Sequence, residues 1–494
     1  MANRKSGILL HITSLPGDEG IGTLGNEAYR FVDFLRETNQ KLWQILPLGH
    51  SGGGNSPYQC YSAFAGNPLL IDLNLLANES LLPAQQVEKK PVFSKRKTDF
   101  TKVEEWKMPL LKTSFSIFKE KVFERYKNEY WHFLDEHSWW LSDYAFFMAA
   151  RKHFGDMHWQ NWSREVKFRE EAAIHNLTEQ LSNEIEFLKY LQFLFFRQWH
   201  QLKAYANQHG IEIIGDVPLY VSGNSSDVWA NTNIFRLDEH LVPTEIGGVP
   251  PDYFSETGQL WGTPVFDWNR LKARNYDWWV ARLHFNLRLF NLVRIDHFRG
   301  LESFWAVPAN EKTAINGYWL PAHGRQLLNM LKGQIGHLPF IAENLGIITP
   351  EVEKLRAEFE LPGMKVLQFA FTSDATNTDL PHNYGKNEVV YTGTHDNNTT
   401  YGWLESLKGK EKKNVQYYLQ KPLGENPDAV VTMAMASVAN TCILPMQDIL
   451  GLGSDSRMNT PGTPKGNWEW RFEWKQLETN QKKRLKTLTI RYNR

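Results

Sequence analysis

Five carboxylates follow or close short apolar runs in this 494-residue sequence: Asp216, Asp296, Glu343, Asp396 and Asp448. A carboxylate is expensive to bury unless it is paired or hydrogen-bonded. Acids recurring at the ends of buried runs therefore point to a site that handles positive charge or protons; a ring of structural salt bridges or a divalent-metal site would use the same residues. Two spacings sharpen the reading. Arg294 and Asp296 lie two apart on a strand and share one face, where the guanidinium is expected to lower the carboxyl pKa and keep it ionised. Glu343 follows Phe340, Ile341 and Ala342, with no cation immediately beside it, so its pKa is expected to be raised. A carboxylate held ionised and a second held protonated are the toolkit of a retaining glycosidase-type reaction, which needs them roughly 5–5.5 Å apart. His297 alternates to the other face of its strand and is expected to support the site from behind.

Eight apolar or β-branched runs must position these groups: 7–11, 43–47, 211–216, 292–296, 340–344, 365–369, 389–393 and 441–445. They read as parallel strands buried on both faces, with helix-like stretches such as 27–39 and 351–359 between most of them. That pattern predicts an α/β fold, a (β/α)8 TIM barrel, in which catalytic groups sit at the C-terminal strand ends. An open doubly wound sheet would alternate similarly. Two connections exceed simple crossovers, which predicts large insertions between strands 2–3 and 3–4 rising from the catalytic face. The expected organisation is one catalytic barrel over 1–494, with a helix-rich subdomain at 50–205 and a loop-rich lid subdomain at 222–285.

Composition limits the partners. Lys plus Arg and Asp plus Glu number 55 each, so net charge gives no reason to expect nucleic acid or an anionic membrane. No apolar stretch approaches the roughly 18–20 residues needed to span a bilayer. Two cysteines, Cys60 and Cys442, do not make a disulfide-stapled secreted chain, and the expected compartment is the cytoplasm. There is no glycine-rich phosphate loop and no Cys/His cluster, so neither cofactor nor metal is expected. Aromatic residues reach 13%; Trp and Tyr faces suit the C–H surface of a pyranose, although filling the core accounts for most such rings.

Three blocks, Arg294-Ile295-Asp296-His297, Ala342-Glu343-Asn344 and Thr394-His395-Asp396-Asn397, resemble in order the catalytic blocks of the amylomaltases, the 4-α-glucanotransferases of the α-amylase-like clan. The resemblance extends over nearly the whole chain, through Ser56-Pro57-Tyr58-Gln59, Gly215-Asp216-Val217-Pro218, Pro250-Pro251-Asp252-Tyr253-Phe254, Trp261-Gly262 and Gly466-Asn467-Trp468. It departs after Phe371, where Thr372-Ser373 stand in place of the family's acidic residue and glycine. The resemblance implies Asp296 as nucleophile, Glu343 as general acid/base and Asp396 as the acid that steadies the transition state. It implies Tyr58, Asp216, Trp261, Arg294, His395 and Asn467 as sugar contacts, and Tyr253 and Phe254 as a lid. Donors would be maltooligosaccharides and other α-1,4-glucans; the acceptor would be the 4-hydroxyl of glucose or a glucan. The alternatives are an α-1,4-glucan hydrolase of the same clan and a non-catalytic glucan-binding barrel.

Overall fold

The computed structural model describes residues 4–251, 255–420 and 428–494. In chain order its strands are β1 (Lys5–Leu9), β2 (Leu42–Gln44), β3 (Glu212–Val217), β4 (Glu245–Val249), β5 (Gln259–Pro264) and β6 (Leu292–Ile295). They continue with β7 (Ser303–Pro308), β8 (Tyr318–Pro321), β9 (Phe340–Ala342), β10 (Gly363–Val366), β11 (Glu388–Tyr391) and β12 (Thr441–Pro445). Eight of these close a parallel barrel in the order β1-β2-β3-β6-β9-β10-β11-β12. Its strands are apolar at successive positions because helices cover the outside while side chains fill the inside. Ile8, Trp43, Ile213, Val293, Ile341, Val390 and Ile443 are all buried. Close packing dictates at least one strand residue: a Cβ on Gly7 would lie 2.3 Å from the Leu42 carbonyl oxygen.

The crossover helices bury one stripe each. Helix Asn26–Glu37 turns Ala28, Phe31, Val32 and Leu35 inward, a spacing of three and four residues. The connection from β10 to β11 breaks the alternation. Instead of an α-helix it carries two short 3-10 turns, Leu367–Phe369 and Pro381–Asn383. Residues 372–387 are rich in Thr, Asn, Asp, Pro and Gly, which prefer turns to helix interiors. Helix Gly409–Leu419 packs there instead, with Asn414 Nδ2 donating to the Phe371 carbonyl at 3.1 Å. The strand expected at 365–369 thus starts earlier and ends at Val366.

The connection from β2 to β3 contains the long helices Phe100–Ile117, Phe123–His153 and Ser182–Gln208. A buried ion pair, Lys107 Nζ to Glu19 Oε2 at 2.6 Å, ties the first of them to the loop after β1. The connection from β3 to β6 supplies β4 and β5. These join β7 and β8, from the following connection, in an antiparallel sheet of order β5-β4-β7-β8. That shared sheet is absent from the sequence reading, because it pairs segments separated by a barrel strand. Among the described residues no helix is long and apolar enough to cross a membrane.

Candidate active site

Register brings the first four charged groups together. Asp216 on β3 lies opposite Arg294 on β6, and the next neighbour, β9, pairs Ala342 with Ile295. The ladder continues past the strand ends: Asp296 N–H donates to Val217 O (3.0 Å), and Glu343 N–H to Ile295 O (3.1 Å). Asp296 and Glu343 therefore occupy matched positions one step beyond neighbouring parallel strands, where adjacent backbones run about 4.8 Å apart.

Arg294 is the hub. Its Nη1 reaches both oxygens of Asp216 at 2.8 and 2.7 Å, and its Nη2 reaches Asp296 Oδ1 at 2.9 Å. Tyr58 Oη donates to Asp216 Oδ2 at 2.7 Å. The Asp216 side chain is fully buried and both its oxygens are engaged, so it orients Arg294 and Tyr58 from behind. The Asp296 side chain retains 28% exposure.

Glu343 Oε2 accepts the His297 backbone N–H at 2.7 Å. His297 reaches this geometry from the left-handed region, φ 51°, which few non-glycine residues adopt. Its ring packs edge-on against Trp261 of β5, centroids 4.9 Å apart, and burial pushes its pKa down to about 3, so it stays neutral. The backbone donor is invisible in sequence; only the strand-end position of His297 hinted at a supporting role.

Burial pushes Glu343 up to about 8, with the charge of Asp296 raising it further and Arg294 opposing. Burial also pushes Asp296 up to about 7, against Arg294. This corrects the expectation that Arg294 would hold Asp296 low. The guanidinium is shared with Asp216, and desolvation outweighs its attraction. The two carboxyls titrate as a pair. Asp296, with Arg294 at 2.9 Å, gives up its proton first, and Glu343 keeps the second.

Asp396 follows β11 on the far side. Asn459 Nδ2 donates to its Oδ1 at 2.6 Å, and Arg457 donates to its backbone carbonyl. Neither partner was singled out from sequence, since both come from a distant loop without periodic pattern. His395 stacks on Tyr58 with centroids 5.2 Å apart and 19° between planes, and Trp468 packs against both rings at 5.9 Å. Asn467 uses its side chain to close its own loop: Oδ1 accepts from Thr460 N (2.9 Å), and Nδ2 donates to Thr463 O (2.9 Å). Asp448 is no part of the cleft. It is buried, accepting from Thr392 Oγ1 (2.5 Å), Thr400 N (2.8 Å) and Thr400 Oγ1 (2.6 Å). Tyr253 and Phe254 lie outside the described residues. Among the described residues no group of three or more His, Cys, Asp or Glu side chains is arranged to hold a metal ion.

The family model described as 4-alpha-glucanotransferase matches residues 10–477. The chain is 48% identical to the 4-alpha-glucanotransferase of Synechocystis sp., across 99% of this chain and 98% of that one. It is 46% identical to that of Thermus thermophilus, across 98% of each. The solved structure of amylomaltase from Streptococcus agalactiae in complex with acarbose superposes with a TM-score of 0.96, at 42% identity and 99% coverage of both chains. Amylomaltase from Corynebacterium glutamicum shares the fold, with a TM-score of 0.80 at 17% identity over 98% of this chain and 75% of that one. By sequence and by architecture, the chain belongs to the 4-alpha-glucanotransferase family.

Proposed function

We propose that this 4-alpha-glucanotransferase moves α-1,4-glucan segments between maltooligosaccharides by double displacement, with Asp296 as nucleophile and Glu343 as general acid/base. One observation carries the assignment. The two carboxyls sit at matched ends of neighbouring strands, one bound to Arg294 and the other accepting a backbone N–H.

In the first step Glu343 gives its proton to the glycosidic oxygen while Asp296 attacks C1, and the departing glucan leaves with a new hydroxyl. Forming the ester removes the negative charge from Asp296. That charge is one of the causes holding Glu343 up, so its loss favours the Glu343 carboxylate. Glu343 is then a base when the second step needs one. It takes the proton of an acceptor 4-hydroxyl, whose oxygen attacks C1 and releases Asp296; two inversions retain the α configuration. Asp396, steadied by Asn459, supplies negative charge beside the oxocarbenium-like transition state. Tyr58, His395 and Trp468 form a wall of rings for the donor sugar, while Asp216 and Asn467 act by positioning Arg294 and the Trp468 loop. Two free cysteines, Cys60 and Cys442, suit a cytoplasmic setting.

The test is a product profile from maltotriose. Glucose with maltopentaose and longer chains, at constant total reducing ends, is expected. Glucose and maltose with rising reducing ends would make the chain a hydrolase, and no change would overturn the assignment.

A further inference from the structure

Arg294 engages three partners, and one of them is not a carboxylate. Nη1 bonds to both Asp216 oxygens and Nη2 lies 2.9 Å from Asp296 Oδ1, which leaves Nε–H, buried with the rest of the side chain. A buried N–H without an acceptor is costly. Here Nε donates to Met364 Sδ at 3.4 Å. Met364 is 1% exposed and belongs to β10, two places along the barrel from β6, so its thioether reaches Arg294 past the intervening β9.

Met364 is itself held from the catalytic end. Its backbone N–H donates to Asn344 Oδ1 at 2.7 Å, and Asn344 Nδ2 donates in turn to Glu353 Oε1 at 2.7 Å, on helix Pro350–Glu358. β9 ends at Ala342 and shares with β10 the register pair Gly363–Ala342. The Asn344 side chain therefore continues the pairing where the strand has stopped. Its approach is close: a Cβ on Gly363 would stand 2.9 Å from Asn344 Nδ2. Asn344 directly follows Glu343, so one side chain ties the backbone that carries the acid to the strand that carries Met364.

We infer that Met364 is a positioning residue for the reaction: its sulfur takes the Nε–H of Arg294 and fixes the guanidinium plane, so that Nη2 faces Asp296 while Nη1 holds Asp216. A thioether suits this task because it is a weak, uncharged acceptor. A carboxylate in its place would put a third negative charge on Arg294 and weaken the attraction left for Asp296. An aliphatic chain would leave Nε–H unmet and the guanidinium free to turn toward another acceptor. The inference rests on the reading of Asp296 as nucleophile.

The test is Met364→Leu in the full chain, a swap of similar volume that removes the acceptor, with glucose release from maltotriose followed across pH. Around Arg294 and Asp296 stand Asp216, Asp396, Glu343, Tyr58, Tyr391 and His395, and the substitution changes the charge of none of them. A moved acidic limb therefore reports the aim of Arg294. With Nε–H unmet, Asp296 loses part of the attraction that keeps it ionised. The acidic limb of kcat/KM is expected about half a pH unit higher and kcat roughly tenfold lower. Met364→Gln, which offers an amide oxygen to the same N–H, is expected to bring both most of the way back. An acidic limb that stays in place in Met364→Leu, whatever its kcat, would overturn the inference, and so would a Met364→Gln protein that behaves like Met364→Leu. Glucose release is common to transfer and hydrolysis, so a failed transferase reading would show as missing maltopentaose while the limb still tests Met364. Turnover surviving in Asp296→Asn would count against the nucleophile reading instead.

Discussion

Replacing Glu343 with Gln should make the protein more stable at neutral pH while destroying its activity. The isostere keeps an oxygen to accept the His297 N–H, so the observed bond at 2.7 Å survives. What it removes is a titration. Burial lifts Glu343 from 4.5 to about 8 in the folded chain. Because the folded value lies above the unfolded one, the cost to stability is absent below about pH 4.5. It grows as pH rises and levels off above about 8. At pH 7 the group sits 2.5 pH units above its unfolded value of 4.5, and at about 1.4 kcal/mol per unit that is roughly 3 to 4 kcal/mol. Half-burial at the cleft wall and charge shared with Asp296 reduce this, roughly by half, to about 2 kcal/mol. At pH 5 the same reckoning leaves under about 0.5 kcal/mol. Urea unfolding of both proteins at pH 5 and pH 7.5 measures the difference. A gain that is equal at the two pH values, or a loss at pH 7.5, would refute a Glu343 raised by burial.

The remaining predictions concern chemistry. Asp296→Asn should abolish maltotriose disproportionation and leave maltoheptaose binding within a few-fold, measured by calorimetry; residual turnover near the original rate would remove the nucleophile assignment. Asn459→Ala frees Asp396 Oδ1 of its 2.6 Å donor and should lower kcat about 10- to 100-fold with little change in KM, on the scale of about 1.5–3 kcal/mol for a hydrogen bond to a charged group. An unchanged kcat would show that Asp396 needs no such support. The pH dependence of kcat/KM should be bell-shaped. Activity falls below about 7, as the pair takes up a second proton, and again above about 8, as Glu343 loses the one it donates. A flat alkaline limb to pH 10 would mean that another group is the acid.

The barrel and its catalytic end were readable because both depend on local pattern. Runs such as 292–296 and 441–445 are apolar at consecutive positions only if both faces are covered, and acids at their ends repeat too regularly for surface residues. What escaped depended on contacts between distant segments. The sheet joining β4 and β5 to β7 and β8 has no signature in any one of its strands. Asn459 lies 63 residues from Asp396 on a loop without periodicity. Asp448 shows the opposite failure: its position after β12 matches that of the site acids, yet Thr392 and Thr400 turn it into an internal brace. Position on a strand end decides where a carboxylate stands, and only its neighbours decide whether it remains available.

The expected sign of the Asp296 shift failed for a reason that identifies what Asp216 does. A guanidinium devoted to Asp296 alone would stabilise the carboxylate and make it a poor nucleophile, since attack on C1 spends the very charge the pair holds. Here Nη1 gives both its bonds to Asp216, and Asp216 adds its own negative charge, which raises Asp296 further. Burial then outweighs what attraction remains, so Asp296 is ionised near neutrality but weakly held. Asp216→Asn tests this. The amide still has an oxygen for Arg294 and leaves Tyr58 a partner, but the third charge is gone, and Arg294 turns its full attraction on Asp296. The acidic limb of kcat/KM should move to lower pH by roughly one unit, with kcat falling as the nucleophile becomes less basic. An acidic limb that stays in place while kcat falls would mean that Asp216 serves only as a mechanical anchor for Arg294 and Tyr58.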